Sequence, residues 1–332
     1  MDQDNHTSPV TEFLLLGLSQ SRQIQLFLFS LFLTVYATTW LGNLIIISTV
    51  ISDPCLHTPM YFLLANLSVI DVSFSSVTVP KLLDHLLLGG RTISFNGCMA
   101  QMFFFHLSGG AEVFFLIVMA FDRYLAIYKP LHYLTIMNWD VCIGLVAGAW
   151  LGGFAHSFVQ VALMIRLPFC GPNVLDNFFC DVPQVLKLAC TDTSVEEWLM
   201  LSNGGLVATV CFGVLLLSYT VILVMLRTRV REGRQKAYNT CLAQITVVCL
   251  IFGPCIFIYA RPFQNFAADK AVAVLYIVIT PMLNPMIYTL RNTEMKGAIK
   301  RVFSRQVTWQ CLSASQGCSS PSLLPEQEAR GL

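Results

Sequence analysis

The stretch Cys98–Tyr133, CMAQMFFFHLSGGAEVFFLIVMAFDRYLAIYKPLHY, decides how the rest of the chain is read. A thiol opens it, a long apolar run carries His106 and Glu112, and the charged pair Asp122-Arg123 follows. Wound as a helix at about 1.5 Å per residue, Cys98 to Arg123 spans roughly 37 Å, slightly more than the hydrocarbon core of a bilayer. The stretch therefore reads as a rod through a membrane. It can be tied covalently at its Cys98 end and meets the cytosol at its Arg123 end, with an acid between them.

The surrounding composition agrees. Of 332 residues, 55% are hydrophobic and 12% charged, with a mean hydropathy of +0.66; soluble domains carry about 25% charged residues. Apolar runs of span length occur at 25–50, 58–83, 98–127, 140–163, 197–226, 237–260 and 271–290. Seven spans put the termini on opposite sides. Arg227, Arg229, Arg231, Arg234 and Lys236 crowd one loop, and Arg291, Lys296, Lys300, Arg301 and Arg305 follow the last span. Both clusters belong in the cytoplasm by the positive-inside rule. The sequence predicts an all-α, seven-transmembrane helix bundle with the N-terminus extracellular and the C-terminus cytoplasmic. Its parts are an extracellular segment 1–24, a seven-helix domain 25–305 and a disordered cytoplasmic tail 306–332, whose Ser, Gln and Pro lack helical periodicity.

MDQDNHTSPVTEF shows no basic region followed by an apolar core, so the first span is expected to act as its own insertion signal. Asn5-His6-Thr7 is a glycosylation acceptor on the outer side, whereas Asn66-Leu67-Ser68 lies within a span and should stay unmodified. The outer loop 164–196 carries Cys170, Cys180 and Cys190, and with Cys98 these four thiols allow three pairings in an oxidising compartment. Other cysteines lie in apolar runs, where a thiol packs as a small hydrophobe. Cys311 and Cys318 in the tail are either palmitoylated or plain reduced thiols.

LHTPMYFLLANLSVID, MAFDRYLAIYKPLHY, FCGPNVLDNFFCDVPQVLKLACTD, LLSYTVI, RQKAYNTCLAQITVV and PMLNPMIYTLRN, in this order and topology, together resemble the odorant (olfactory) receptors, a branch of the rhodopsin-like G-protein-coupled receptors. The likeness covers residues 10–305. It implies the pairs Cys98–Cys180 and Cys170–Cys190. It also implies a small odorant bound within the helix bundle, a heterotrimeric stimulatory, olfactory-type G protein that raises cAMP, and a place in the plasma membrane of sensory cilia. No nucleic acid is implied as a partner. Phe121, Tyr128, Asn177, Asn239 and Gln244 depart from the family's usual residues, and the last two fall on the cytoplasmic half of span six.

Asp71 and Glu112 are acids inside spans, where a charge costs at least about 2.5 kcal/mol. With Asn43 and Asn284 they either hold a cation, for which hard oxygen ligands suit Na⁺ or Ca²⁺, or share protons and hydrogen bonds alone. The resemblance points to an internal cation site, for Na⁺ or another cation, that would stabilise the resting packing, and no further cofactor is expected. It makes Asp122, Arg123 and Tyr124 the coupling end, with Tyr219 and Tyr288 closing around Arg123 in the active state. Asn284-Pro285 would let span seven bend, because proline frees a carbonyl within the helix. The arginine-rich loop serves either as topology signal or as partner contact.

Met102, Phe105, His106, Gly109, Gly110 and Val113 recur at spacings of three and four and share one face of span three. The two glycines leave room for a ligand or for another helix. Family analogy adds Asn203, Val207, Phe252, Cys255, Tyr259 and Val274 as facing residues. The set describes an apolar chamber with His106, Asn203 and Tyr259 as polar anchors, suited to a small, mostly apolar molecule. No phosphate loop, zincin motif or nucleophile elbow points to an enzyme, and the spans do not split into transporter repeats. The rival reading is a receptor of the same fold for a metabolite outside the olfactory epithelium.

Overall fold

A computed structural model describes residues 10–229, 234–260 and 268–315. Among them, seven helices are long and apolar enough to cross a membrane. These are α1 (Arg22–Ser52), α2 (Pro59–Leu88), α3 (Phe95–Tyr128), α4 (Trp139–Met164), α5, α6 (Arg234–Tyr259) and α7. Helix α5 starts as Ser194–Met200, passes through a wide π turn at Leu201–Leu206 and continues as Val207–Arg229. Helix α7 is likewise interrupted, with Asp269–Val274, a π turn at Leu275–Ile279 and then Thr280–Arg291. The helices outrun the apolar runs because their ends carry polar caps. Ser94 Oγ accepts the Gly97 N–H at 3.1 Å to open α3, and Asn138 Oδ1 accepts the Val141 N–H at 2.9 Å to open α4. Gly89, at φ +76°, closes α2 in the left-handed conformation that glycine adopts freely.

Helix α3 is the axis of the bundle. Of its most apolar 18-residue stretch 61% is buried, against 22% for α1, α4 and α5. The latter three turn Phe27, Leu41, Leu151 and Leu217 outward, where lipid is the natural solvent. Close approach of α3 and α4 rests on glycine: a Cβ on Gly153 would lie 2.5 Å from the Leu107 carbonyl oxygen and 2.6 Å from the Ala111 amide nitrogen.

At the Cys98 end, the segment before α1 joins a small sheet that sequence reading does not anticipate. Strand β1 (Glu12–Leu15) pairs antiparallel with β2 (Thr92–Ser94) and parallel with β3 (Val174–Leu175). Phe13 is fully buried beneath it, with its ring 5.7 Å from that of Phe169. Disulfides Cys98–Cys180 and Cys170–Cys190, with Cα separations of 5.5 and 5.7 Å, fasten the long loop over the bundle.

At the Arg123 end, the expectation of a tail without regular structure over 306–332 is corrected as far as Ser315, and 316–332 lie outside the described residues. Helix α8 (Thr293–Ser315) starts directly after α7 and runs ten residues past Arg305. Arg301 donates from Nε and Nη2 to Asp53 Oδ2 at 2.9 and 2.7 Å, and the Tyr61 hydroxyl donates to Glu294 Oε2 at 2.7 Å. Burial works against charge on Asp53, but the Arg301 guanidinium and the Cys55 N–H outweigh it and hold the carboxyl below its usual range. The helix is thereby fastened to the α1–α2 loop and to the start of α2, long-range contacts that periodicity does not encode.

Candidate functional site

Between α3, α4, α5, α6 and α7 lies a cavity of about 350 Å³. Phe105, His106, Gly109, Gly110 and Val113 line it from α3, the face that helical spacing marks out, and Asn203 and Val207 from α5 with Cys255 and Tyr259 from α6, residues that the family analogy names. Three expected residues do not line it. Met102 is fully buried in the cluster around the Cys98–Cys180 disulfide. Phe252 stacks on Phe212 at 5.7 Å, and Val274 packs into the aromatic cluster of Phe74 and Phe105. Tyr276 takes the α7 position instead. It sits within the π turn, where an extra residue per turn re-aims the face that a regular 3.6-residue period would present. Asn203 occupies the corresponding π turn of α5.

Both glycines of α3 serve helix contacts as well as the cavity. A Cβ on Gly109 would meet Phe74 at 3.3 Å, and one on Gly110 would meet the Gly153 Cα at 3.1 Å and His156 at 3.2 Å. That proximity brings Gly152, Ala155, His156, Val159 and Gln160 of α4 into the wall, a contribution the sequence reading lacks. Its signal was Gly152-Gly153, a small-residue pair opposite Gly109-Gly110.

The roof contributes Asp181, 3% exposed. The Tyr259 hydroxyl donates to both of its oxygens at 2.9 Å, and the Val182 N–H donates to Oδ1 at 2.9 Å. His106 Nε2 stands 3.5 Å from Oδ1. The loop is seated by the disulfide and by the Cys180 N–H donating to Gln101 Oε1 at 2.8 Å. A residue next to a cysteine tied to α3 must lie over the bundle, so Cys180-Asp181 was the available clue. His106 Nε2 and Asn203 Nδ2 are buried without hydrogen-bond partners.

Deeper in the bundle, Asn284 Nδ2 donates to Asp71 Oδ1 at 2.8 Å, and Glu112 lines the cavity. Asn43 Nδ2 donates to the carbonyls of Thr39 and Pro281 at 2.9 and 3.2 Å. The side-chain oxygens of Asn43 and Asn284 are left without partners. Carboxylate and amide oxygens are hard donors, the type that alkali cations prefer. No group of three His, Cys, Asp or Glu side chains suited to a metal occurs among the described residues.

At the far end of α3, Arg123 donates from Nε to Asp122 Oδ2 at 2.9 Å and also from Nη2. The Tyr133 hydroxyl donates to Asp122 Oδ1 at 2.6 Å. Tyr124 stacks on Tyr128 at 5.2 Å. Tyr219 and Tyr288 do not close on Arg123 here: the Tyr219 hydroxyl donates to Gln244 Oε1 at 3.2 Å, and the buried Tyr288 hydroxyl has no partner. Gln244, noted only as a departure in the sequence, therefore links α5 to α6. Pro285 packs at α1, where a Cβ on Gly42 would lie 3.1 Å from its Cγ. Asn5, Arg231 and Cys318 lie outside the described residues.

Residues 32–306 match the family model described as "Olfactory receptor". Olfactory receptor 4D1 of Homo sapiens is 60% identical over 297 residues, covering 90% of this chain and 96% of its own. Olfactory receptor 4K14 of Homo sapiens is 54% identical over 311 residues, 93% of this chain and all of that receptor. Olfactory receptor 4Q2 of Homo sapiens is 55% identical over 309 residues, 92% and 98% of the two chains.

Proposed function

The chain belongs to the olfactory receptor family, and from that premise we propose that it binds a small, mostly apolar odorant in the cavity and activates a stimulatory, olfactory-type G protein to raise cAMP. It is a multi-pass membrane protein whose working place, on this reading, is the ciliary plasma membrane, with the disulfide-bonded loop outside. It signals by changing shape and not by chemistry on its ligand.

The observation that carries the reading is the bond between loop and helix across the cavity roof, from the Tyr259 hydroxyl to Asp181. The disulfide fixes Asp181 to α3, so a ligand that alters this bond acts on α6 against a stationary support. At the other end of α6, Gln244 holds Tyr219. Displacement of α6 separates that pair and frees Tyr219 to meet Arg123, which then exchanges its neighbour Asp122 for the G protein. A ligand can shift this balance only by the difference in its affinity for the two arrangements.

A cAMP reporter assay of the displayed receptor against a broad panel of small odorants and metabolites tests the proposal. Some members should raise cAMP, and alanine at His106 or Tyr259 should weaken those agonists by about tenfold or more, the worth of one or two buried hydrogen bonds. Unchanged potency of every agonist, with surface display intact, would dismiss the cavity.

We assign Asp71, Glu112, Asn43 and Asn284 to a Na⁺ site that stabilises the resting packing; the orphaned amide oxygens support this. Glu112→Gln should abolish the sodium dependence of basal signalling. If basal cAMP responds to sodium in the variant as it does in the parent, the assignment fails.

A further inference from the structure

The cavity wall presents two nitrogen groups with nothing to receive them. Asn203 Nδ2 is buried without an acceptor, and His106 Nε2, on a side chain only 7% exposed, is likewise unpartnered. The latter stands 3.5 Å from Asp181 Oδ1, beyond ordinary hydrogen-bond length. His156 adjoins both residues, its ring centre 5.6 Å from that of His106. Donors on α3 and α5 therefore converge on one chamber. Leaving a buried donor unmade is costly, and the occupant is the natural source of the missing acceptor.

Charge narrows the choice further. Glu112 lines the chamber and Asp181 accepts from its Tyr259, while no Lys or Arg is among the residues that line it. A carboxylate ligand would lose its hydration in a chamber whose lining offers it no basic side chain. An ordinary hydrocarbon would fit the apolar walls but leave both donors unsatisfied.

We propose that the ligand is a neutral molecule with a hydrogen-bond-accepting oxygen, such as a ketone, aldehyde, ester or ether, received by Asn203 Nδ2 with His106 as second donor, and that carboxylic acids on the same skeleton are excluded. This rests on the odorant-binding reading of the same cavity. Asn203 then selects the ligand class by supplying the donor, His106 assists it, and a lining without a basic side chain rejects anions.

The test uses the full-length receptor in a cAMP reporter assay, with a matched series of one chain length: hydrocarbon, ether, ketone, ester and carboxylic acid. The ketone, ester or ether should lead the series, with the acid and the hydrocarbon weaker by about tenfold or more. Asn203→Leu should weaken the leading compound by about tenfold while the receptor still reaches the surface. Asn203→Asp, which removes the donor and adds a negative charge at nearly the same shape, should weaken it further. The inference is overturned if the acid or the hydrocarbon matches the ketone in the parent receptor, a comparison that needs no variant to fold. It is also overturned if both Asn203 variants respond as the parent does. Silence of the displayed receptor to this series and to the broad panel overturns the odorant-binding reading itself; a response without oxygen preference overturns only the present inference.

Discussion

Replacing Gly153 by leucine is expected to abolish surface display, and replacing it by alanine to destabilise the bundle by about 3 kcal/mol, the upper end of overpacking penalties. The atoms a new Cβ would meet, at 2.5 and 2.6 Å, are the Leu107 carbonyl oxygen and the Ala111 amide nitrogen. Both are backbone of α3, so no side chain can swing aside. Relief requires α4 to move away from α3, which would disturb the cavity wall at Gly110 and His156 and the Ser157 hydroxyl that donates to the Phe103 carbonyl at 2.6 Å. Gly148, on the same helix, supplies the control. A Cβ there meets nothing within 4 Å, so Gly148→Ala should be tolerated and should stabilise α4 by about 0.5–1 kcal/mol through helix propensity. Surface display and thermal unfolding of the detergent-purified receptor separate the two. Equal tolerance of Gly153→Ala and Gly148→Ala would show that α3 and α4 do not meet as described.

The second large effect is expected from the bond between Cys98 and Cys180. It closes 82 residues, whereas Cys170–Cys190 closes 20. In the chain-entropy account the longer loop is worth about 4.5 kcal/mol and the shorter about 3.3 kcal/mol, so Cys98→Ser should lower display more than Cys190→Ser. The longer bond also holds Asp181 above the cavity. Any Cys98→Ser receptor that reaches the surface should therefore have lost its agonist response, because Tyr259 and His106 no longer face a fixed carboxylate. Cys98→Ser with Cys180→Ser should be no worse than either change alone, since each breaks the same bond. Additive losses in the double variant would mean that the two sulfurs act separately.

How much of this was legible beforehand depends on the range of the interaction concerned. The seven spans, the α3 face from Phe105 to Val113 and the pairing of Asp122 with Arg123 are local, written in periodicity and adjacency. Family analogy gave the α7 wall to Val274, whereas the π turn at Leu275–Ile279 turns Tyr276 to the cavity, and nothing in AVAVLYIVIT marks where the extra residue falls. The tail after Arg305 looked irregular because its own residues make a poor helix. The part of α8 before that point is held from elsewhere in the chain, by Asp53 on Arg301 and Tyr61 on Glu294.

By itself the sequence determined the membrane, the number of crossings and the central place of Cys98–Tyr133, since hydrophobic length and charge placement act residue by residue against the lipid. Only the tertiary structure decided that Asp181 roofs the cavity, that α4 supplies a wall through Gly153, that Gln244 holds Tyr219, and that His106 and Asn203 are left facing inward without acceptors. Each of these depends on groups far apart in the chain meeting within hydrogen-bond or van der Waals distance. Such energies fall away within a few ångströms, so they come into being only when the helices pack.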